Sequence, residues 1–181
     1  MTVTIREATR EDAAALAGLA AVTFPLACPP DSRAEDVAAF IVDKLGEDSF
    51  DGYLSDSQRV VFVAEDAQPG GGSQLLAYTM LVDAPPQDAD VAAVVGSPSG
   101  VELSKCYAHP DVHGAGITAQ LMAESLGWAR SRGSAQVWLG VNDENARARK
   151  FYEKHGFAVA GERSFRLGNR VEHDFVMVRP A

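Results

Sequence analysis

A glycine turn, a tyrosine and an asparagine seven residues apart, and a carboxylate on a predicted strand are groups in this 181-residue sequence whose types could do chemistry. The turn is His113-Gly114-Ala115-Gly116-Ile117-Thr118-Ala119, between a predicted strand over 101–108 and a predicted helix ending near Gly133. Glycines let backbone N–H groups approach a ligand closely, and the first turn of a helix offers free donors and a positive dipole end, so this turn suits a phosphate. The alternative is a purely structural turn. Tyr152 carries a phenol that can donate a proton; it can equally be a packed helix aromatic beside Phe151. Asn145 lies about two turns earlier on the same helix face, either as a ligand-binding amide or as an ordinary helix cap. Glu102 sits on the strand before the turn, as a base or as a solvated strand residue. Cys106 on that strand is a tempting nucleophile, or a small buried residue. None of His109, His113, His155 or His173 is placed by spacing beside a reacting group.

These residues need elements to hold them. Val3 and Ile5 alternate with polar neighbours, which predicts a short strand. Thr9 caps a helix carrying Leu16, Leu19 and Ala20, and the prolines of Phe24–Pro30 are expected to end it. Ser32-Arg33-Ala34-Glu35 has the pattern of a capping box before Val37, Phe40, Ile41 and Leu45. Strands are predicted over 60–64 and 75–82 across the turn 68–73, and residues 85–100 read as a long loop. After the strand–turn–helix at 101–133 come an apolar strand over 136–141, a helix over 145–155 stopped at Gly156, and a hairpin of 157–167 and 170–178 across Gly168-Asn169. The resulting order, β-α-α-β-β-β-α-β-α-β-β, is an α/β mixture with hairpins at both ends of a βαβ unit.

Gly114-x-Gly116-x-x-Ala119 formally fits the dinucleotide fingerprint, with Asp143 as the ribose-binding acid. Against it stand the four-residue link His109-Pro110-Asp111-Val112 before the turn, the terminal hairpin in place of repeating βαβ units, and the N-terminal hairpin. A second match is more specific. The run from Cys106 through His109-Pro110-Asp111 to Ile117 resembles the acyl-CoA-binding segment of the GNAT superfamily of N-acetyltransferases. Asn145-x-x-Ala148 followed by Phe151-Tyr152-Glu153-Lys154-His155-Gly156-Phe157 resembles the family's second motif. The motifs together span residues 101–160, and the order of elements extends the likeness over nearly the whole chain. Two departures stand out: His113 occupies the usual Gln/Arg place, and Thr118 the final Gly/Ala place.

The resemblance implies one domain over residues 1–181, with a central mixed, mostly antiparallel sheet of six to seven strands and about four helices. A splayed strand pair, 101–108 and 136–141, would hold the cosubstrate, acetyl-CoA. The pantetheine arm would pair with the backbone of Cys106, Tyr107 and Ala108. The pyrophosphate would lie on the N–H groups of the turn His113, Gly114, Ala115, Gly116, Ile117, Thr118 and Ala119, with Asn145 on the pantetheine. Acetyl transfer to a primary amine requires an amine that has lost its proton, a donor to the oxyanion near Tyr107 or Ala108, and a proton for the departing thiolate. Tyr152 matches the family's proton donor, and Glu102 is the candidate base, directly or through water. A CoA-binding or sensing module with little turnover shares the same motifs.

Composition sets the outer bounds. The chain is 46% hydrophobic with a formal net charge of −9, enough to bury a core. A surplus of acid disfavours a nucleic-acid partner and an anionic membrane surface. Two cysteines, Cys28 and Cys106, without metal spacing imply neither a disulfide scaffold nor a metal site. The start lacks a signal-peptide pattern, so a cytoplasmic location is expected. The charge is uneven: residues 1–100 hold 5 basic against 16 acidic side chains, whereas residues 101–181 hold 11 against 9. That split suggests an acidic acceptor side, suited to a cationic amine, and a cofactor side tolerant of an anion; the alternative is plain solubility. Phe24, Phe50 and Tyr53 with Asp31, Glu35, Asp48 and Asp51 are available for an acceptor cage, or as core and solvated faces. The sequence leaves room for a homodimer.

Overall fold

The computed structural model describes residues 1–181, the side chain of Phe165 excepted. Seven strands, β1 Val3–Glu7, β2 Arg59–Ala67, β3 Ser73–Val82, β4 Val101–Ala108, β5 Gln136–Asn142, β6 Ala158–Leu167 and β7 Arg170–Pro180, form one sheet in the order β1-β2-β3-β4-β5-β7-β6. Every pairing is antiparallel except β4 with β5. The helices are α1 Ala13–Ala27, α2 Ala34–Lys44, α3 Glu47–Leu54, α4 Ala89–Val95, α5 Ile117–Ser131 and α6 Ala146–Lys154.

Strand alternation divides the core between two faces. Val60, Phe62 and Ala64 of β2 pack with Leu121, Met122 and Leu126 of α5, whereas Val61 and Val63 pack with Leu16, Leu19 and Phe24 of α1 and Phe50 of α3. On that second face α4 covers the other half of the sheet, where Val91 and Val95 meet Trp138 and Val176. Charge composition changes near residue 100, yet β3 and β4 on either side of it are hydrogen-bonded neighbours.

Two irregularities in β4 position the site. First, β4 pairs with β5 only at Val101↔Val137 and Glu102↔Trp138, after which the two strands part. Second, Met80 faces Lys105 while Leu81 faces Leu103, which leaves Ser104 as an extra residue, a β-bulge. The bulge switches the parity of the strand. Val101, Leu103, Cys106 and Ala108 contact the α5-side core, while Tyr107 joins the α1-side core and the Lys105 ammonium sits 5.3 Å from the Tyr53 ring centroid on that side.

The structure departs from the sequence expectations in four places. Helix α1 continues through Pro25 to Ala27. An internal proline removes one helical hydrogen bond and crowds the preceding turn, but Phe24, 8% exposed and stacked on Phe40 at 4.7 Å, anchors the final turn until Pro29 and Pro30 follow. The expected 85–100 loop contains α4, capped by Asp88, whose side chain accepts from the amides of Asp90 and Val91. Helix α2 begins after Arg33, without a side-chain cap, so the Ser32–Glu35 capping box does not form. With α3 also present, the sheet carries six helices where about four were expected.

Helix α4 packs closely enough to require a glycine opposite it. A Cβ at Gly161 would lie 2.5 Å from Val94 Cγ2. Gly161→Ala is therefore expected to lower stability by about 1–3 kcal/mol through overpacking. A chemical-denaturation midpoint moved downward at constant m-value checks this, and an unchanged midpoint would show that α4 gives way freely.

Candidate active site

Where β4 and β5 part, two cavities of about 400 and 380 Å³ open and share Ala27, Cys106, Tyr107, Asn145, Ala148 and Tyr152 as lining. The larger is bounded by the glycine turn. Gly114 (φ +84°) and Gly116 (φ +78°) hold left-handed conformations that place Gly116 at the N-cap of α5. Open space surrounds the Cβ position of each, so backbone conformation requires these glycines. Buried Val112 seats the preceding 3-10 turn, and the ring of His113 hydrogen-bonds the Ala108 carbonyl at 3.2 Å, tying the turn to the end of β4. The amides of Ile117, Thr118 and Ala119 have no carbonyl within the helix to donate to. Arg147 and Lys154 of α6 bring positive charge to the same cavity. Cationic side chains and a helix N-terminus give this cavity the chemistry to hold an anion.

Tyr152 stands between the cavities because α6 is fixed at both ends. Asn145 Oδ1 accepts from the Ala148 amide at 3.1 Å, so its side chain caps the helix while lining both cavities. The ring of Tyr152 packs edge-on against Phe151 at 5.5 Å and Phe157 at 5.9 Å. Burial pushes its phenol well above the usual value of 10, and the neighbouring Cys106 and Tyr107 push the same way. The phenol therefore keeps its proton throughout the neutral range. Burial also raises the Cys106 thiol, to about 12, which leaves it a poor nucleophile near neutral pH.

The smaller cavity collects charge. Glu102, Lys105, Arg163, Glu172 and Asp174 line it, together with Phe24, Phe40 and Cys28. Burial raises the Glu102 carboxyl above its ordinary range, opposed by the charges of Arg163, Lys105 and Arg59. Lys105 is lowered by burial to about 8. Arg163 Nε donates to Asp174 at 3.1 Å, and its guanidinium lies across Gly140, where any side chain would collide with it. Burial raises Asp174 too, with Arg163 pulling it back.

The predicted site residues are thus largely gathered at one place. Glu102, Cys106, Tyr107, Ala108, His113, Gly114, Gly116, Thr118, Ala119, Asn145 and Tyr152 all line one or both cavities. Ala115 and Ile117 do not: Ala115 is exposed outside the lining, and Ile117 is buried in the core of α5. Of the residues considered for an acceptor cage, Phe24 lines the smaller cavity and Phe50 is core. Asp51 and Glu35 pair with Arg10 and Arg33, Asp31 pairs with Arg170, and Asp48 is exposed. The acid facing this cavity comes from Glu102, Glu172 and Asp174, so the acidic N-terminal half is not its source.

Sequence reading missed Arg147 and Lys154 on one side and Lys105, Arg163, Glu172 and Asp174 on the other. A signal for the last two was present. Glu172, Asp174 and Val176 share one strand parity, and two acids in line with a core valine mark an apolar face that turns into a cavity. Lys105 could not have been placed, because the Ser104 bulge inverts the simple alternation. Among the described residues, no group of three or more His, Cys, Asp or Glu could hold a metal ion, and no helix is long and apolar enough to cross a membrane.

Comparison with known proteins gives a consistent answer. The family described as "Acetyltransferase (GNAT) family" matches residues 27–157. An uncharacterized N-acetyltransferase of Mycobacterium tuberculosis (strain ATCC 25618 / H37Rv) is 42% identical over 168 residues, covering 93% of this chain and 97% of its own. Among solved structures, the PaiA N-acetyltransferase of Thermoplasma acidophilum, in complex with coenzyme A, superposes with a TM-score of 0.76 at 20% identity over the whole of both chains. Mutant forms of the spermidine/spermine N-acetyltransferase SpeG of Vibrio cholerae superpose with a TM-score of 0.62 at 19% identity, covering 99% of this chain and 95% of their own. At those identities the structural likeness speaks for the fold, while the matched family and the mycobacterial relative speak for descent. The chain belongs to the GNAT family of acetyltransferases.

Proposed function

We propose that the protein transfers an acetyl group from acetyl-CoA to a primary amine by direct attack. The observation that carries this reading is the meeting of an anion-binding cavity and a charged acceptor cavity at Tyr152, where β4 and β5 separate. The turn amides of Gly114 and of residues 116–119, with Arg147 and Lys154, fit a pyrophosphate, whereas the Ala115 amide is given to the Val112 carbonyl at 3.2 Å. The free edge of β4 at Cys106–Ala108 fits a pantetheine arm, because strand backbone without a partner offers an alternating row of donors and acceptors. Acetyl-CoA, once bound, supplies an activated thioester.

The chain's own residues then have three tasks. Glu102, or water it holds, accepts the proton of the attacking amine as the N–C bond forms. A backbone amide near Tyr107 or Ala108 donates to the oxygen of the tetrahedral intermediate. Tyr152 gives its proton to the sulfur as the C–S bond breaks. The proton taken by Glu102 returns through water to the Tyr152 phenolate, so a neutral amine and the thioester become a neutral amide and a neutral thiol with both residues restored. Cys106 is not needed as an acyl carrier.

Free-thiol release over a panel of amines tests this function. Release that requires both acetyl-CoA and an amine is expected. CoA binding without release for any amine would make the protein a CoA-binding module, and binding of NAD alone would overturn the cosubstrate assignment. The pH profile tests Glu102. A base works when deprotonated, so kcat is expected to fall as pH drops through a carboxyl pKa that burial has raised above the ordinary range. Glu102→Gln is expected to lower kcat by about a hundredfold and to abolish that acid limb. An unaltered limb would remove Glu102 from the mechanism.

A further inference from the structure

The proton-transfer scheme leaves Glu172 and Asp174 without a task. Both face the smaller cavity from β7, and they are only 7% and 5% exposed. Buried carboxylates ordinarily have their oxygens satisfied. Asp174 follows this rule through Arg163. Glu172 does not: its Oε1 is buried and accepts no hydrogen bond. The nearest cation is Arg170, whose Nε lies 3.3 Å from that oxygen, but Arg170 is hydrogen-bonded to the Asp31 carbonyl and ion-paired with the Asp31 carboxylate at 2.9 Å. A carboxylate oxygen that is shut from solvent, faces a cavity, makes no hydrogen bond and is approached only by a guanidinium shared with Asp31 is matched to a ligand that brings a donor.

Charge and position say what that donor is. The ionisable lining is Glu102, Glu172 and Asp174 against Lys105 and Arg163, an excess of one negative charge. The amine that attacks must be neutral when it reacts, so it does not balance this excess. A second, non-reacting ammonium on the same molecule would. Glu102 and Glu172 lie at opposite ends of the cavity: Glu102 shares a sheet row with Trp138 and Val178, whereas Glu172 is six residues farther along β7, beyond the end of β5. The gap between β4 and β5, where the thioester would sit, lies between those ends. Phe24 and Phe40 provide apolar wall for a hydrocarbon spacer.

We propose that the acceptor is a diamine or related dication, one amine of which is acetylated while a second ammonium is bound by Glu172, with Asp174 beside it. This rests on the acetyltransferase function proposed above and names its substrate class. Glu172 is a specificity residue and takes no part in proton transfer.

The test compares linear α,ω-diaminoalkanes with monoaminoalkanes and ω-amino acids of the same chain length, in the wild type and in Glu172→Gln, which keeps the side chain's size. The wild type is expected to favour the diamine in kcat/KM by about tenfold or more, as suits one charge-assisted pair. Glu172→Gln is expected to raise KM for the diamine at least tenfold more than for the monoamine, with the loss in KM and not in kcat. Equal use of mono- and diamines, preference for the ω-amino acid, or an equal effect of the substitution on all three would overturn the proposal. Calorimetric titration of the CoA-loaded protein with the same compounds separates this from a failure of the function itself. If no amine is acetylated, diamine binding weakened by Glu172→Gln still supports the site, and diamine binding no tighter than monoamine binding overturns it.

Discussion

Tyr152→Phe is expected to reduce kcat by about a hundredfold to ten-thousandfold, the usual worth of a positioned general acid. The affinity for CoA should stay within about threefold of wild type, because the substitution removes one hydroxyl from a helix held by other contacts. Three features make the effect large. The phenol stands at the junction of the two cavities. Burial and its neighbours keep it protonated well beyond the neutral range, so its proton is available to donate. Its ring is packed between Phe151 and Phe157, which phenylalanine would preserve. The loss should appear in kcat with little change in KM, since the proton is needed only as the C–S bond breaks. Steady-state kinetics beside a calorimetric titration with CoA separate the two quantities. Unchanged kcat would assign protonation of the thiolate to water or to another donor.

Gly116→Val is expected to weaken acetyl-CoA binding by about a hundredfold to ten-thousandfold. Gly116 holds φ +78° at the N-cap of α5. A β-branched residue there costs about 1–3 kcal/mol in backbone strain. If the turn relaxes to escape that strain, amides leave the phosphate, and each hydrogen bond to a charged group is worth about 1.5–3 kcal/mol. At about 1.4 kcal/mol per tenfold in Kd, the loss of two such bonds gives the stated range. A Cβ at this position would meet no neighbour in the free protein. Folding should therefore suffer only the strain, and the larger effect should fall on binding. Calorimetric titration with acetyl-CoA, alongside thermal denaturation of the ligand-free variant, distinguishes the two. A Kd within about threefold of wild type would mean that the turn does not hold the phosphates.

How far the sequence reached depends on which physical signals are local. The strand–turn–helix at 101–131 and the helix over 146–154 were legible because glycines at positive φ, an asparagine cap and period-3.6 apolar stripes act within a few residues. The β6–β7 hairpin was legible for the same reason, through Gly168-Asn169. Pro25 misled because tertiary packing of Phe24 on Phe40 outweighed a local rule. The small residues of α4 read as loop because that helix forms against Trp138 and Val176, distant in sequence. The site divided along the same line. Tyr152, Asn145 and the turn stood in contiguous motifs, whereas the smaller cavity draws Glu102 and Lys105 from β4, Arg163 from β6 and Glu172 and Asp174 from β7. Register across the sheet and the unpaired Ser104 bring those side chains together, and neither can be read from any single stretch of chain.

The structure of the protein with acetyl-CoA bound tests the central claim most directly. Ligand density should run along Cys106–Ala108, with the pyrophosphate on the amides of Gly114 and residues 116–119 and the thioester sulfur within hydrogen-bonding reach of the Tyr152 hydroxyl. A sulfur held away from Tyr152, or a ligand seated outside the opening between β4 and β5, would contradict the account.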